Sequence, residues 1–306
     1  MTSLHELLTQ EASRELLARS SPSSLDWPAL LRSIGFAQLG GLGMYFGIGG
    51  IFELAYYRRR EAAAEWKCQP KRWPSPKARR EEILLGTANM VAASTASGAF
   101  VYHVMHGGRT GLYFSLDTHG LLFTALGGLL YLLGTDLALY WAHRLFHTPL
   151  LYKKIHKVHH RWTSPTAFTA MAMHPVEFAT YQSIMLAPLF FMPMHAYVVI
   201  ATLLITNYYA LVDHSGVRAR SWLPFVAPTQ FHDDHHAHFH VNYGQSFFLW
   251  DRVFGTMRRK GRKYGVDVFG GKGAGEPGAL AEYWDYGRKE EPAPLTAHAR
   301  ERPVAD

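Results

Sequence analysis

The sequence predicts an all-α integral membrane protein with four to five membrane-embedded helices, and three observations carry that expectation. Long apolar runs alternate with basic segments, histidines crowd into one stretch of chain, and Cys68 is the single cysteine. The mean hydropathy of −0.08 averages those runs with two very polar ends, so its near-zero value does not argue for a soluble protein. With 31 Lys and Arg against 24 Asp and Glu, the formal charge is +7. Much of the surplus lies between Arg58 and Arg80, wedged between two apolar runs, which suits a cytoplasmic loop better than a nucleic-acid surface. One cysteine excludes an intramolecular disulfide and thiolate metal sites, so any metal must be held by His and carboxylate.

Taken in order, the N-terminal residues 1–33 are polar and of mixed charge, and no signal peptide is expected there. The first apolar run, Ile34 to Tyr57, has about the ~20 residues that span a bilayer and is closed by Arg58-Arg59-Arg60. A second run covers Ile83 to Met105 and a third Leu121 to Trp141, where Gly127-Gly128 permits close helix packing. This pair returns the chain to its starting side, so the basic loop 58–82 and the residues after Trp141 share a side. The positive charge makes that side cytoplasmic. The fourth stretch, Val176 to Val212, is interrupted at Met192-Pro193-Met194-His195, leaving two pieces of roughly 25 Å each at 1.5 Å per residue. Such lengths read as a short helical hairpin with both ends cytoplasmic, which brings His174 and His214 together. From Ser215 onward the chain is polar enough to form a cytoplasmic cap, and Glu290 to Asp306 reads as a tail.

Of the 18 histidines, 13 lie between His143 and His240. His143 and His147, at i and i+4, share one helix face, as two ligands to one site require. Thr148-Pro149 then ends that helix and starts the next. The pattern His-x-x-His-His occurs twice, at His156, His159 and His160 and at His232, His235 and His236, each giving three imidazoles on one helical patch. Eight imidazoles, with His174 and His214 as further candidates, exceed what a single zinc uses and suggest two metals. Imidazole suits iron, copper, zinc and nickel alike. Asp136, Asp213, Asp233, Asp234 and Glu177 sit where they could orient ligands. His5, His103, His106, His119, His195 and His298 lie outside the constellation and read as structural or solvated.

From about Leu121 to Thr256 the sequence resembles the fatty acid hydroxylase and sterol desaturase superfamily. The resemblance rests on Asp136, Tyr140, HRLFH, HKVHH, HPVE at His174 to Glu177, DHSG at Asp213 to Gly216, HDDHH, NYG at Asn242 to Gly244 and WDRVFGT at Trp250 to Thr256. It implies a membrane helix bundle whose cytoplasmic helical cap encloses a dinuclear site of two non-haem iron ions, with O2 as co-substrate. The metal ligands it implies are His143, His147, His156, His159, His160, His214, His232, His235 and His236, with His174 a weaker candidate that some branches lack. Asp136, Tyr140, Glu177, Asp233 and Asn242 are the accompanying catalytic residues; His238 and His240 stand outside the common pattern. The implied organisation is 1–33 polar, 34–120 membrane helices with the loop 58–82, 121–256 catalytic, and 257–306 a cytoplasmic extension.

An unactivated C–H bond has no acidic proton at neutral pH, so the expected chemistry is metal-dependent: hydroxylation or desaturation of a membrane lipid, sterol-like or fatty-acyl. The His-x-x-x-His spacing of the first box leans toward the sterol-desaturase branch. No haem motif precedes the first span, so electrons are expected from a separate ferredoxin, cytochrome or reductase. A membrane metal-ion transporter and a histidine-rich metal-binding protein are the alternatives; a transporter would line a path through mid-bilayer, whereas these histidines gather at one side.

Overall fold

The computed structural model describes residues 25–221, 223, 225–275 and 282–286. The expected tail, His5 and His298 lie outside the described residues, as does most of the polar N-terminal segment. Within them the chain is a helical membrane protein: four helices are long and apolar enough to cross a bilayer, and their sides remain largely uncovered by protein.

Helix α1 (Trp27–Phe52) begins seven residues before the apolar run. The Asp26 carboxylate accepts from Ala29 N at 3.0 Å and Pro28 stands in the first turn, so capping chemistry rather than hydropathy sets the start. A π turn, Glu53–Tyr57, carries α1 to its basic end, and a single turn, α2 (Ala63–Trp66), follows. Helix α3 (Pro76–Met105) starts the same way, with Ser75 Oγ accepting from Ala78 N at 3.2 Å. The last part of the expected loop 58–82 is therefore helical.

Helices α1 and α3 pack closely along their lengths. Their contact requires small residues: a Cβ on Gly98 would lie 2.4 Å from Ile34 Cα, a backbone atom that cannot step aside. Helix α4 (Gly120–Phe146) runs back and carries the first histidine box out of its C-terminal end. Between α3 and α4, β1 (Leu112–Tyr113) pairs in parallel with β2 (Met194–His195), a two-residue clasp at the end of the bundle away from that box.

The expected hairpin is asymmetric. Helix α6 (Pro175–Leu186) has 12 residues, about 18 Å of rise, and passes through a 3-10 turn, Ala187–Phe190, into β2; only α7 (Ala196–Asp213) is long enough to be a spanning candidate.

Short elements close the other end: α5 (Pro149–Lys154), the 3-10 segments His156–Arg161 and Ala167–Met171, α8 (Thr229–His238) and α9 (Leu249–Val253). Much of the cap beyond α8 is irregular backbone rather than a helical layer. The 3-10 segment Ala167–Met171 is gripped from α3, where buried Glu82 accepts from the hydroxyls of Thr166 and Thr169, and Asn89 Nδ2 donates to the carbonyls of Met171 and Met173 at 2.8 and 2.9 Å. Those bonds join the membrane bundle to the floor of the histidine site.

Candidate metal centre

Nine imidazoles converge in two groups at the capped end. His143, His147, His156, His160 and His235 form one, and His159, His214, His232 and His236 the other; within each, the candidate ligand atoms lie within 4.8 Å of one another, and all nine residues are buried. The second box forms a 3-10 helix rather than the α-helix its spacing suggested. The box does not present one patch: His156 and His160 belong to the first group and His159 to the second, although three residues per turn would by itself eclipse His156 and His159. On α8 the third box divides the opposite way, His235 to the first group and His232 with His236 to the second.

The outward ring nitrogens fix the tautomers. His143 Nδ1 donates to Tyr243 O at 2.8 Å, His159 Nδ1 to Ala172 O at 3.2 Å and His235 Nδ1 to Val241 O at 2.6 Å. His156 Nδ1 donates to Glu177 Oε1 and His214 Nδ1 to Asp213 Oδ1, each at 2.6 Å. These acceptors cannot donate, so the protons sit on Nδ1 and the Nε2 lone pairs face inward. There they meet: Nε2 of His159 and His214 are 3.3 Å apart, and His156 Nε2 and His235 Nε2 each lie 3.0 Å from His160 Nε2. Metal–imidazole bonds of about 2.1 Å would place neighbouring ligand nitrogens about 3.0 to 3.4 Å apart, and the observed spacing matches. His232 Nδ1, His160 Nδ1 and both nitrogens of His236 have no hydrogen-bond partner although buried. Between His159 and His214 two lone pairs are opposed with no proton between them and repel; a cation bound by both removes the repulsion. The donor set fits metal ions.

Electrostatics agree. Burial, and after it the neighbouring imidazoles, push His147, His156, His160, His232, His235 and His236 well below the ordinary histidine range, and burial with His214 does the same for His159. At neutral pH these rings are uncharged, the state in which imidazole binds metal. The consequence for stability has a definite sign. As pH falls from about 7.5 to 5, unfolded histidines take up protons near 6.5 while the buried ones do not, so acid favours the unfolded chain. Asp233, pushed up to about 7 by burial, and Asp251, pushed up to about 6, are among the buried carboxylates that act in the opposite direction, but the lowered imidazoles outnumber them. The metal-free protein is thus expected to lose melting temperature progressively across this range; a rise on acidification would contradict the buried, neutral cluster.

The other residues singled out by sequence take varied positions. Glu177 and Asp213 touch rings of the two imidazole groups directly, at His156 and His214. Asp136 instead accepts from Ser246 N at 3.1 Å and Trp250 Nε1 at 2.7 Å, and Tyr140 bonds Thr256 Oγ1 at 2.9 Å; both secure the loop that carries Tyr243. Asp233 accepts from Gln69 Nε2 at 3.0 Å, and Asp234 from Arg258 at 2.5 Å and Tyr286 at 3.0 Å. Asn242 adopts a left-handed φ of 57° and bonds Phe231 O and Tyr286 through Nδ2 and Arg258 N through Oδ1. His174 caps α6, its Nδ1 accepting from Val176 N at 3.2 Å, and belongs to neither imidazole group. His238 is likewise outside both. Sequence reasoning passed over the backbone carbonyls of Ala172, Val241 and Tyr243; carbonyls carry no side-chain signature, although Val241 and Tyr243 flank Asn242. His240, set apart by sequence as outside the common pattern, has its ring against His147.

A cavity of about 70 Å³ adjoins the imidazoles, walled by apolar groups including Leu139, Met171, Phe178 and Met185, with Gln182 of α6 and Asn207 of α7 also lining it. Glu177 Oε2 and the Tyr181 hydroxyl are both buried and belong to residues that line it.

A bundle of membrane helices closed at one end over two groups of neutral imidazoles defines a membrane-embedded, histidine-rich metal-binding protein. Residues 128–256 match the family model described as fatty acid hydroxylase, and proteins similar to the chain include sterol-acting enzymes. The chain is similar to human lathosterol oxidase, 36% identical over 143 residues, covering 46% of this chain and 48% of that protein. The mouse lathosterol oxidase is 40% identical over 131 residues, covering 42% and 44%. A Delta(7)-sterol 5(6)-desaturase of Gibberella zeae is 35% identical over 181 residues, covering 59% and 51%. The chain spans about half the length of these curated relatives. No solved structure gives a significant match.

Proposed function

We propose that this chain is a membrane-bound, O2-dependent non-haem di-iron oxidoreductase that hydroxylates or desaturates a membrane lipid, sterol-like or fatty-acyl, using electrons from a separate donor. The observation that carries the reading is the pair of imidazole groups with inward, unprotonated Nε2 atoms beside an apolar cavity. His143, His147, His156, His160 and His235 would hold one metal ion and His159, His214, His232 and His236 the other. Two iron ions held there would supply the oxidation with O2 that an unactivated C–H bond requires.

The chain's own residues do the rest. Leu139, Met171, Phe178 and Met185 give a hydrocarbon its binding surface and exclude water from the reacting carbon. Gln182 and Asn207 line the cavity from α6 and α7, which supports substrate entry between those helices from the bilayer. Glu177 orients His156 and keeps its proton on Nδ1, while Asp213 does the same for His214. Sterol-acting names among the relatives favour a sterol-like lipid over a fatty-acyl one.

Basic residues at this end, Lys71, Lys77 and Arg80 with Lys153, Lys154 and Lys157, are exposed, and by the positive-inside rule they support a site on the cytoplasmic side. Lys157 lies between His156 and His159 and is exposed while both histidines are buried, so an acidic ferredoxin, cytochrome or reductase docking there would be close to the metals.

The test is reconstitution of the full chain with iron, O2 and a reducing partner, read by lipid mass spectrometry. A lipid gaining one oxygen marks hydroxylation, and one losing two hydrogens marks desaturation. Wild-type protein purified without chelator should hold about two metals per chain. Vesicles in which no lipid changes but metal ions cross the membrane would replace this reading with a transporter.

A further inference from the structure

Among the imidazoles of the first group, His147 has an outer partner of a different kind. His143, His156 and His235 give their Nδ1 protons to carbonyl or carboxylate oxygens, whereas His147 Nδ1 lies 2.9 Å from His240 Nδ1. A contact between two like nitrogens is ambiguous until the far side of the second ring is considered. His240 Nε2 lies 2.8 Å from Val266 O, which can only accept, so His240 carries its proton on Nε2 and presents a lone pair at Nδ1. His147 is then the donor at Nδ1. Its Nε2, 3.3 Å from His143 Nε2, is left bare and inward.

We infer that His240 is a positioning residue of the first metal group: a neutral imidazole acceptor that fixes the tautomer and ring plane of His147. The inference rests on the metal-binding reading of the two groups. Several features hold His240 for this role. It is fully buried, its ring lies 4.0 Å from that of Phe269 and 4.8 Å from that of Tyr152, and it belongs to neither imidazole group itself. Phe239, just before it, takes a left-handed φ of 66°, which turns the chain out of α8 immediately after the third box. The acceptor carbonyl of Val266 and the ring of Phe269 lie beyond residue 256, where the family match ends, so a segment outside the matched region reaches the metal site.

A neutral acceptor has a chemical consequence. Glu177 draws the His156 proton with a carboxylate and strengthens that ring as a donor to metal, whereas His240 sets the direction of His147 with less polarisation. The two rings are thereby made unequal ligands within one group.

Two substitutions in the full chain separate hydrogen bond from packing. His240→Phe keeps an aromatic ring against Phe269 and Tyr152 but removes the acceptor; His240→Asn loses the ring but can offer Oδ1 near the place of Nδ1. Metal content, resistance to chelator and the thermal unfolding of the metal-free forms are measured on each, after wild type has been shown to bind metal; metal-free wild type would instead overturn the metal-binding reading. The Phe variant is expected to lose metal to chelator about 10- to 100-fold more readily than wild type. The Asn variant should stay within a few-fold of wild type. Wild-type resistance in the Phe variant overturns the proposal, and so does equal loss in a folded Asn variant, which would make His240 a ligand or a packing residue. If the Phe variant does not fold, the Asn variant decides alone: retention of both metals supports the hydrogen bond, and loss from a folded protein overturns it.

Discussion

Replacing His235 with Ala is expected to abolish lipid oxidation and to lower the metal content of the purified chain. The residue is completely buried, its Nδ1 is held by Val241 O at 2.6 Å and its Nε2 faces His160 Nε2 at 3.0 Å. Alanine removes one donor from the first group and leaves His160 without that neighbour, so the remaining rings close poorly on a metal ion. His159→Ala should be equally inactive through the other group, because its Nε2 faces His214 at 3.3 Å. His174→Ala is the contrasting case: its ring only caps α6 and belongs to neither group, so most metal should be retained. Turnover and metal per chain, measured together, decide the matter. A His235→Ala protein with wild-type metal and wild-type turnover would remove His235 from the centre altogether.

Asp251→Ala is expected to be the most destabilising single change among the residues around the site. The carboxylate is fully buried and accepts from Tyr243 N at 2.8 Å, Gly244 N at 2.6 Å and Thr256 Oγ1 at 2.6 Å. Removing it strands two backbone donors and a hydroxyl in an enclosed setting, at a cost of roughly 3 kcal/mol or more. That is a large part of a typical domain's 5–15 kcal/mol, in round terms about a third. Because Tyr243 also supplies the carbonyl that fixes His143, metal retention should weaken as well. Asn at this position keeps one oxygen acceptor and should be milder. Thermal unfolding with and without metal measures both effects; an Ala variant melting within a degree of wild type would mean that those donors find other partners.

The spans were legible because hydropathy acts over some twenty residues, and the helices around Ile34, Ile83 and Leu121 form where apolar runs stand. Helix starts at Trp27 and Pro76 lay outside those runs because local capping by Asp26 and Ser75 sets them, a signal that hydropathy does not contain. The convergence of the histidine boxes was legible from their spacing and number, and the structure brings together nine of the ten rings named as ligands. Their division was not. Helix periodicity alone does not separate His159 from His156 and His160; the division follows from how the segment is packed between the two groups, which the five letters do not contain. The roles of Ala172, Val241 and Tyr243 were hidden for another reason: every residue has a carbonyl, and only the fold selects which ones face a ring.

The way the third box divides makes α8 a ruler. His232 and His235 belong to different groups yet stand three residues apart on one helix, an axial offset of about 4.5 Å set by helical rise. Any two ions held there would have their separation tied to the pitch of a hydrogen-bonded backbone, not to the reach of flexible side chains. Inserting or deleting one residue between His232 and His235 would swing the later ring by about 100° around the axis, so this gauge tolerates substitution at Asp233 or Asp234 far better than a change in length.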